Sequence, residues 1–123
     1  MASFIEPTFI NKLGSLSQNE ADAQPFGVVK VDQMGKILLY NQFESKLANV
    51  PIDTAVGRNF FTEIAICTNN KLFYGKFKEG MEKKELDSTF SYVFTYKMKP
   101  TNVMIHLYLD KASNTNWIFV KPK

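Results

Sequence analysis

The chain has a single cysteine, Cys67, and a single histidine, His106, among its 123 residues. One cysteine excludes an intrachain disulfide framework and any zinc site built from several thiolates. Long apolar runs are missing too, which excludes a membrane-spanning helix of about 20 residues. Charge of one sign is scarce. The 15 basic and 12 acidic residues leave a net +3 scattered along the chain, too mild for a nucleic-acid footprint. The densest basic stretch, KFKEGMEKK at 76–84, is interleaved with Glu79 and Glu82 and reads as the solvated face of a helix. Phosphate-binding glycine loops, paired carboxylates and metal-ligand clusters are all absent, so no enzyme activity is expected. Near the start, Glu6 and Pro7 stand where a secretory leader needs its apolar stretch, and a cytoplasmic protein is expected.

What is present is the composition of a globular domain, with 45% hydrophobic and 22% charged residues and a length suited to one core. Aromatics are in excess at 14%, with Phe at 11. Residues 1–25 are poor in large apolar side chains, and the spacing of Phe9, Leu13 and Leu16 is helical. They are expected to form a weakly held N-terminal cap, with the main domain over 26–123.

From Phe26 the pattern turns to strands. FGVVKVD and KILLYN flank a turn built on Asp32 and Gly35, which predicts a hairpin. NQFESKLANVP predicts two helical turns ending before Pro51, followed by a loop. GRNFFTEIAICTNN predicts a short helix through Phe60, Phe61 and Ile64, running into the loop of Cys67. A longer helix is expected over 72–84. Over 88–98, Phe90, Tyr92, Phe94, Tyr96 and Met98 alternate with polar residues, giving one strand with an aromatic face. Val103, Ile105, Leu107 and Leu109 alternate along the next, and 117–121 closes the sheet. The order predicts an α+β domain with helices over one face of a five-stranded antiparallel sheet.

Two features invite chemistry. Cys67 reads first as a buried packing residue, with a nucleophile or an attachment point for a cofactor as the alternatives. The nucleophile needs a base, and period two puts His106 on the strand face turned away from Val103, Ile105 and Leu107. The second feature is Tyr40 with Glu44 four residues on, either a strand-end tyrosine beside a surface glutamate or a pair aimed at one site. A buried glutamate would be protonated, and two O–H donors would then suit a phenolate or a carboxylate.

The segments FGVVKVD, GKILLYN, GRNFF, CTNN, FYGKFKEG, YKMKPT and WIFVK, in this order over 26–121, resemble the photoactive yellow proteins, bacterial blue-light receptors of the PAS fold. The resemblance implies a PAS-like sheet with an N-terminal helical cap. It also implies p-coumaric acid (4-hydroxycinnamic acid) held as a thioester on Cys67, its phenolate oxygen hydrogen-bonded by Tyr40 and Glu44. The implied pocket takes in Ala48, Val50, Phe60, Phe61, Ile64, Ala65, Ile66, Thr68, Phe94, Tyr96 and Met98. In the implied cycle, light turns the double bond from trans to cis, Glu44 gives up its proton, and the buried carboxylate drives partial unfolding that involves residues 1–25.

Three positions depart from the family. Ala48 and Val50 stand where a threonine and an arginine are usual, so a different spectrum and recovery rate are expected. Ile66 replaces the usual proline, which loosens the attachment loop. A monomer is expected, with an unidentified downstream signalling protein as partner and no nucleic acid or membrane. The alternatives are a PAS-like sensor of a non-covalent small ligand or an interaction module, and an RNA-binding sheet using Phe90, Tyr92 and Phe94 as a stacking platform.

Overall fold

The computed structural model describes residues 5–95 and 99–123. After α1 (Pro7–Ile10), a 3-10 turn at Leu13–Ser15 and α2 (Gln18–Asp22), the chain forms a hairpin of β1 (Gly27–Val31) and β2 (Ile37–Tyr40). Asp32 builds its turn, the carboxylate accepting from the N–H groups of Met34 and Lys36 at 2.9 Å, while Gly35 takes φ 93°. Next come α3 (Gln42–Ala48) and α4 (Ile52–Ala55). A π-helical turn at Phe60–Ile64, a 3-10 turn at Ile66–Thr68 and α5 (Tyr74–Lys83) follow. The strands β3 (Asp87–Phe94), β4 (Thr101–Asp110) and β5 (Thr115–Pro122) complete an antiparallel sheet of order β2-β1-β5-β4-β3.

The α+β expectation and its five strands hold. Local detail differs in three places. The expected helix at Phe60 is a π turn, closed by Ile64 N–H donating to the Asn59 carbonyl at 3.1 Å and Ala65 N–H to that of Phe60 at 2.7 Å, with Asn59 Oδ1 capping it by accepting from the N–H groups of Phe61 and Thr62. The expected loop after Pro51 contains the one-turn α4, with Pro51 at its N-cap. The helical spacing of Phe9, Leu13 and Leu16 is divided between α1 and the 3-10 turn. Tyr96 and Met98, expected at the end of the aromatic strand, lie outside the described residues.

Alternation along the strands builds two cores. Val29 and Val31 of β1, Ile105 and Leu107 of β4, and Ile118 and Val120 of β5 meet Phe60, Phe61, Phe73 and Phe77 beneath the central helices. Val28, Trp117 and Phe119 face the other way and are covered by Phe9, Leu13 and Ala21 of the N-terminal segment. In β2 the pairing passes from Lys30↔Leu39 to Val31↔Ile37, so Leu38 is the extra residue of a bulge. That bulge lets both Ile37 and Tyr40 join the helix-side core while Leu39 joins the other. No helix among the described residues is long and apolar enough to cross a membrane.

Candidate functional site

Tyr40 ends β2, and the next residue, Asn41, starts α3. The Asn41 Oδ1 accepts from Glu44 N–H at 3.0 Å and from Val28 N–H at 2.9 Å. Its Nδ2 donates to the carbonyls of Ala21 and Phe26 at 2.8 and 3.0 Å. This cap fixes where the helix begins, so Glu44 falls in the first turn, beside Tyr40. Both side chains are buried, at 0% and 1% exposure. Neither Tyr40 Oη nor Glu44 Oε1 has a hydrogen-bond partner among the described residues. A buried carboxyl without a partner is costly to ionise, and burial pushes Glu44 up to about 8. The Tyr40 phenol is raised as well, by burial first and then by the charge of Glu44. At neutral pH the pair is predominantly two neutral O–H donors.

Gly27 gives Glu44 its seat. A Cβ at position 27 would overlap Glu44 Oε1 and lie 3.2 Å from the Cβ of Val120. The sequence does not single Gly27 out for the site, although a glycine within a strand pattern is the usual sign of such a close approach. Beyond Glu44, Ala48 ends α3 and Asn49 turns the chain with φ 58°. Ser45 Oγ donates to the Val50 carbonyl at 2.6 Å, and Val50 packs against the helix-side core. Ala48 and Val50 carry no side-chain donor.

Cys67 lies in the Ile66–Thr68 turn, half-buried against the same core cluster that contains Tyr40. Phe60, Phe61, Ile64, Thr68 and Phe94 are buried, Ala65 is half-buried, and Ile66 is exposed. The rings of Phe60 and Phe61 meet edge to face at 5.3 Å, and Phe61 stacks on Tyr74 at 4.2 Å. The structure therefore brings Cys67, Tyr40 and most of the expected lining to one side of the sheet. His106 is on the other side, its Nε2 2.6 Å from Asp87 Oδ1 and its ring 5.8 Å from that of Phe119. A Cys-His pair is not assembled. Tyr92, 25 residues from Cys67, and Asn70, three residues from it, bind the backbone carbonyl of Cys67, and nothing in the spacing marks either for the site.

Chemically, a half-buried thiol and two orphaned O–H donors on one apolar side fit an acyl group that ends in an anionic oxygen. Such an oxygen would satisfy both donors, and the thiol would supply the covalent anchor. The donor set thus fits a thioester-linked hydroxyaryl group.

No protein-family model matches the sequence. The chain is 38% identical over 111 residues to a photoactive yellow protein of Halochromatium salexigens, covering 90% of this chain and 89% of that protein. It is 36% identical over 121 residues to a photoactive yellow protein of Rhodothalassium salexigens, covering 98% and 97%. The photoactive yellow protein domain of the sensor histidine kinase Ppr from Rhodospirillum centenum superposes with a TM-score of 0.85 at 38% identity, covering 91% of this chain and 98% of that one. A PAS domain of the quorum-sensing receptor RpfR from Cronobacter turicensis shares the fold alone, with a TM-score of 0.65 at 9% identity. With identity of this order over nearly its whole length, the chain belongs to the photoactive yellow protein family, photoreceptors of the PAS fold.

Proposed function

We propose that the chain is a blue-light receptor that carries p-coumaric acid as a thioester on Cys67, with Tyr40 and Glu44 hydrogen-bonding its phenolate oxygen. The observation that supports this most is the pair of buried, unpartnered groups, Tyr40 Oη and Glu44 Oε1, on the side of the sheet that holds Cys67. When bound, the chromophore supplies blue absorption and a double bond whose geometry light can invert. Tyr40 and Glu44 orient and stabilise the anion, each charge-assisted bond contributing on the order of 1.5–3 kcal/mol. Phe60, Phe61 and Phe94 exclude water from the pocket.

Glu44 also holds the movable proton. Released in response to light, that proton leaves a carboxylate in the seat beside Gly27 and Val120, where water cannot stabilise it. The desolvation penalty, several kcal/mol, is comparable with the whole stability of a small domain. Asn41 passes the disturbance on, since one side chain caps the helix of Glu44 and binds the carbonyl of Ala21 in the N-terminal segment. We therefore place the light-driven loosening in residues 1–25. The Ppr relative is part of a sensor histidine kinase, which supports a signalling partner for this chain too. Ala48 and Val50 bring no hydroxyl and no cation to the phenolate end, so the absorption maximum and recovery rate differ from those of members with threonine and arginine there.

Colour tests the reading. Chromophore-free protein mixed with an activated p-coumaric ester is expected to turn yellow, while Cys67→Ala stays colourless. A colourless wild type, or an equally yellow Cys67→Ala, overturns the proposal in favour of a PAS-like sensor of a non-covalent ligand.

A further inference from the structure

Cys67 sits on a turn whose backbone hydrogen bonds are local. Thr68 N–H donates to the Ala65 carbonyl at 2.8 Å, Asn69 N–H to Ile66 at 3.0 Å and Asn70 N–H to Thr68 at 2.9 Å. These bonds shape the turn but do not tie it to the sheet. The tie comes from two side chains that converge on the Cys67 carbonyl oxygen. Tyr92, on β3 and 25 residues away in sequence, donates its hydroxyl to that oxygen at 2.5 Å. Asn70 Nδ2 lies 3.2 Å from the same oxygen and also donates to Tyr92 Oη at 2.6 Å.

Neither side chain is free to swing. Asn70 Oδ1 accepts from the N–H groups of Leu72 and Phe73 at 3.0 and 3.1 Å, which orients its amide with Nδ2 toward Tyr92. The Tyr92 ring is held edge-on by Phe73 at 5.1 Å and Phe94 at 6.2 Å. The cysteine backbone is thus clamped to a strand by a closed ring of three hydrogen bonds. The residue before it, Ile66, is exposed and stiffens the turn less than proline would.

We propose that Tyr92 and Asn70 form a latch that holds the Cys67 turn closed against β3 and so sets how fast the thiol is loaded and how long its acyl group is retained. The proposal deepens the attachment reading above and rests on it for the identity of the acyl group. In loading, the Cys67 sulfur bonds the acyl carbon of an activated ester, the ester's leaving group departs, and the thiol proton goes to solvent. In loss, water adds its oxygen to the acyl carbon, the carbon–sulfur bond breaks, and the sulfur recovers a proton. Both require the turn to lift from β3. Tyr92 and Asn70 are positioning residues; neither reacts.

The test uses the chromophore-free chain and the neutral disulfide 4,4′-dithiodipyridine, followed over a urea series below the unfolding transition. Tyr92→Phe keeps the ring and removes the hydroxyl. Two of the three bonds go with it, so Cys67 is expected to react at least about tenfold faster than wild type, at a rate that scarcely changes with urea. Asn70→Asp keeps an acceptor for Leu72 and Phe73 but loses both donated bonds, and is expected to behave alike. Equal labelling rates in wild type and both variants overturn the latch. So does an acceleration no greater than the rise in globally unfolded fraction. Labelling needs no chromophore, so failure there leaves the attachment reading standing. A wild type that stays colourless with the activated ester, while the variants label faster, overturns the attachment reading and keeps a gate on the thiol. In yellow protein kept in the dark, the variants are expected to lose colour several-fold faster than wild type, and equal retention overturns the latch's role there.

Discussion

Beneath the N-terminal segment, polar groups that leave water find partners. His106 is bonded to Asp87, Trp117 Nε1 donates to Thr115 Oγ1 at 2.8 Å, and Asn41 uses both atoms of its amide in four hydrogen bonds. Phe9, Phe26 and Phe119 fill the rest in edge-to-face contacts 5.5–6.1 Å apart. Under the central helices Thr68 Oγ1 finds the Ala65 carbonyl at 2.6 Å, but other buried atoms are left over. Among the described residues Tyr40 Oη and Glu44 Oε1 have no partner, and neither has Asn116 Oδ1, which alternation puts on the face of Ile118 and Val120. The first side is complete without a ligand. The second keeps hydrogen-bonding capacity in reserve, at a cost that folding alone would not tolerate, and that reserve is where a ligand has something to add.

The contrast breaks most easily at Glu44. In the chromophore-free protein burial pushes its carboxyl up to about 8 when folded, against an ordinary 4.5. Between those pH values the unfolded chain sheds a proton that the folded chain keeps. Stability from this group is therefore complete below pH 4.5 and falls as pH rises toward 8, by on the order of 5 kcal/mol in all. Denaturant unfolding at a series of pH values is expected to show that decline in wild type and its removal in Glu44→Gln, which cannot ionise. The same slope in both proteins would place the reserve elsewhere.

A smaller effect sharpens the contrast at Gly27. Alanine is favoured over glycine within a strand, and the backbone here has no positive φ to forbid it. Gly27→Ala is nevertheless expected to destabilise by about 2 kcal/mol, because the new Cβ overlaps the Glu44 carboxyl. Glu44→Asp draws the carboxyl back by one methylene. The double variant is then expected to cost less than the sum of the two single ones. Additivity within about 0.5 kcal/mol would mean that the two sites do not touch.

Legibility in the sequence divides along physical lines. Alternation is a local signal, so β4 and the aromatic face of β3 can be read directly from residues such as Val103, Ile105 and Phe94, and β5 from its apolar run over 117–120. The hairpin turn follows from Asp32 and Gly35, and the Tyr40–Glu44 spacing follows from a cap at Asn41. What stays hidden depends on residues distant in the chain. The bulge at Leu38 exists only because β1 sets the register, and the seat beside Gly27 exists only because Val120 closes its far side. The Tyr92 hydroxyl reaches Cys67 only after β3 has docked. Alternation puts Tyr92 on the aromatic face, but gives no sign that its hydroxyl ends on a carbonyl. The π turn at Phe60 is hidden for another reason: its apolar spacing fits an ordinary helix, and only the backbone bonds of Ile64 and Ala65 back to Asn59 and Phe60 show the wider turn.

The smallest expected effect belongs to the satisfied side. Ser17 Oγ accepts from Glu20 N–H at 3.1 Å, and Glu20 Oε1 accepts from Ser17 N–H at 3.0 Å, a reciprocal cap on α2. Ser17→Ala removes one of the two bonds and is expected to cost about 1 kcal/mol. Because α2 is five residues long and exposed apart from the buried Ala21 and the half-buried Asp22, the loss is expected to stay local. Amide exchange is expected to rise over residues 18–22 and at Gln42, whose N–H donates to Asp22 Oδ1 at 2.8 Å, and to remain unchanged in β1 and the rest of α3. The Glu44 titration, followed by its carboxyl infrared band in the chromophore-free protein, is expected not to move. A shift of that band would show that the cap of α2 reaches the buried acid in the resting state, most directly through the Ala21 carbonyl that Asn41 holds. The two sides of the sheet would then be one coupled unit before light has acted.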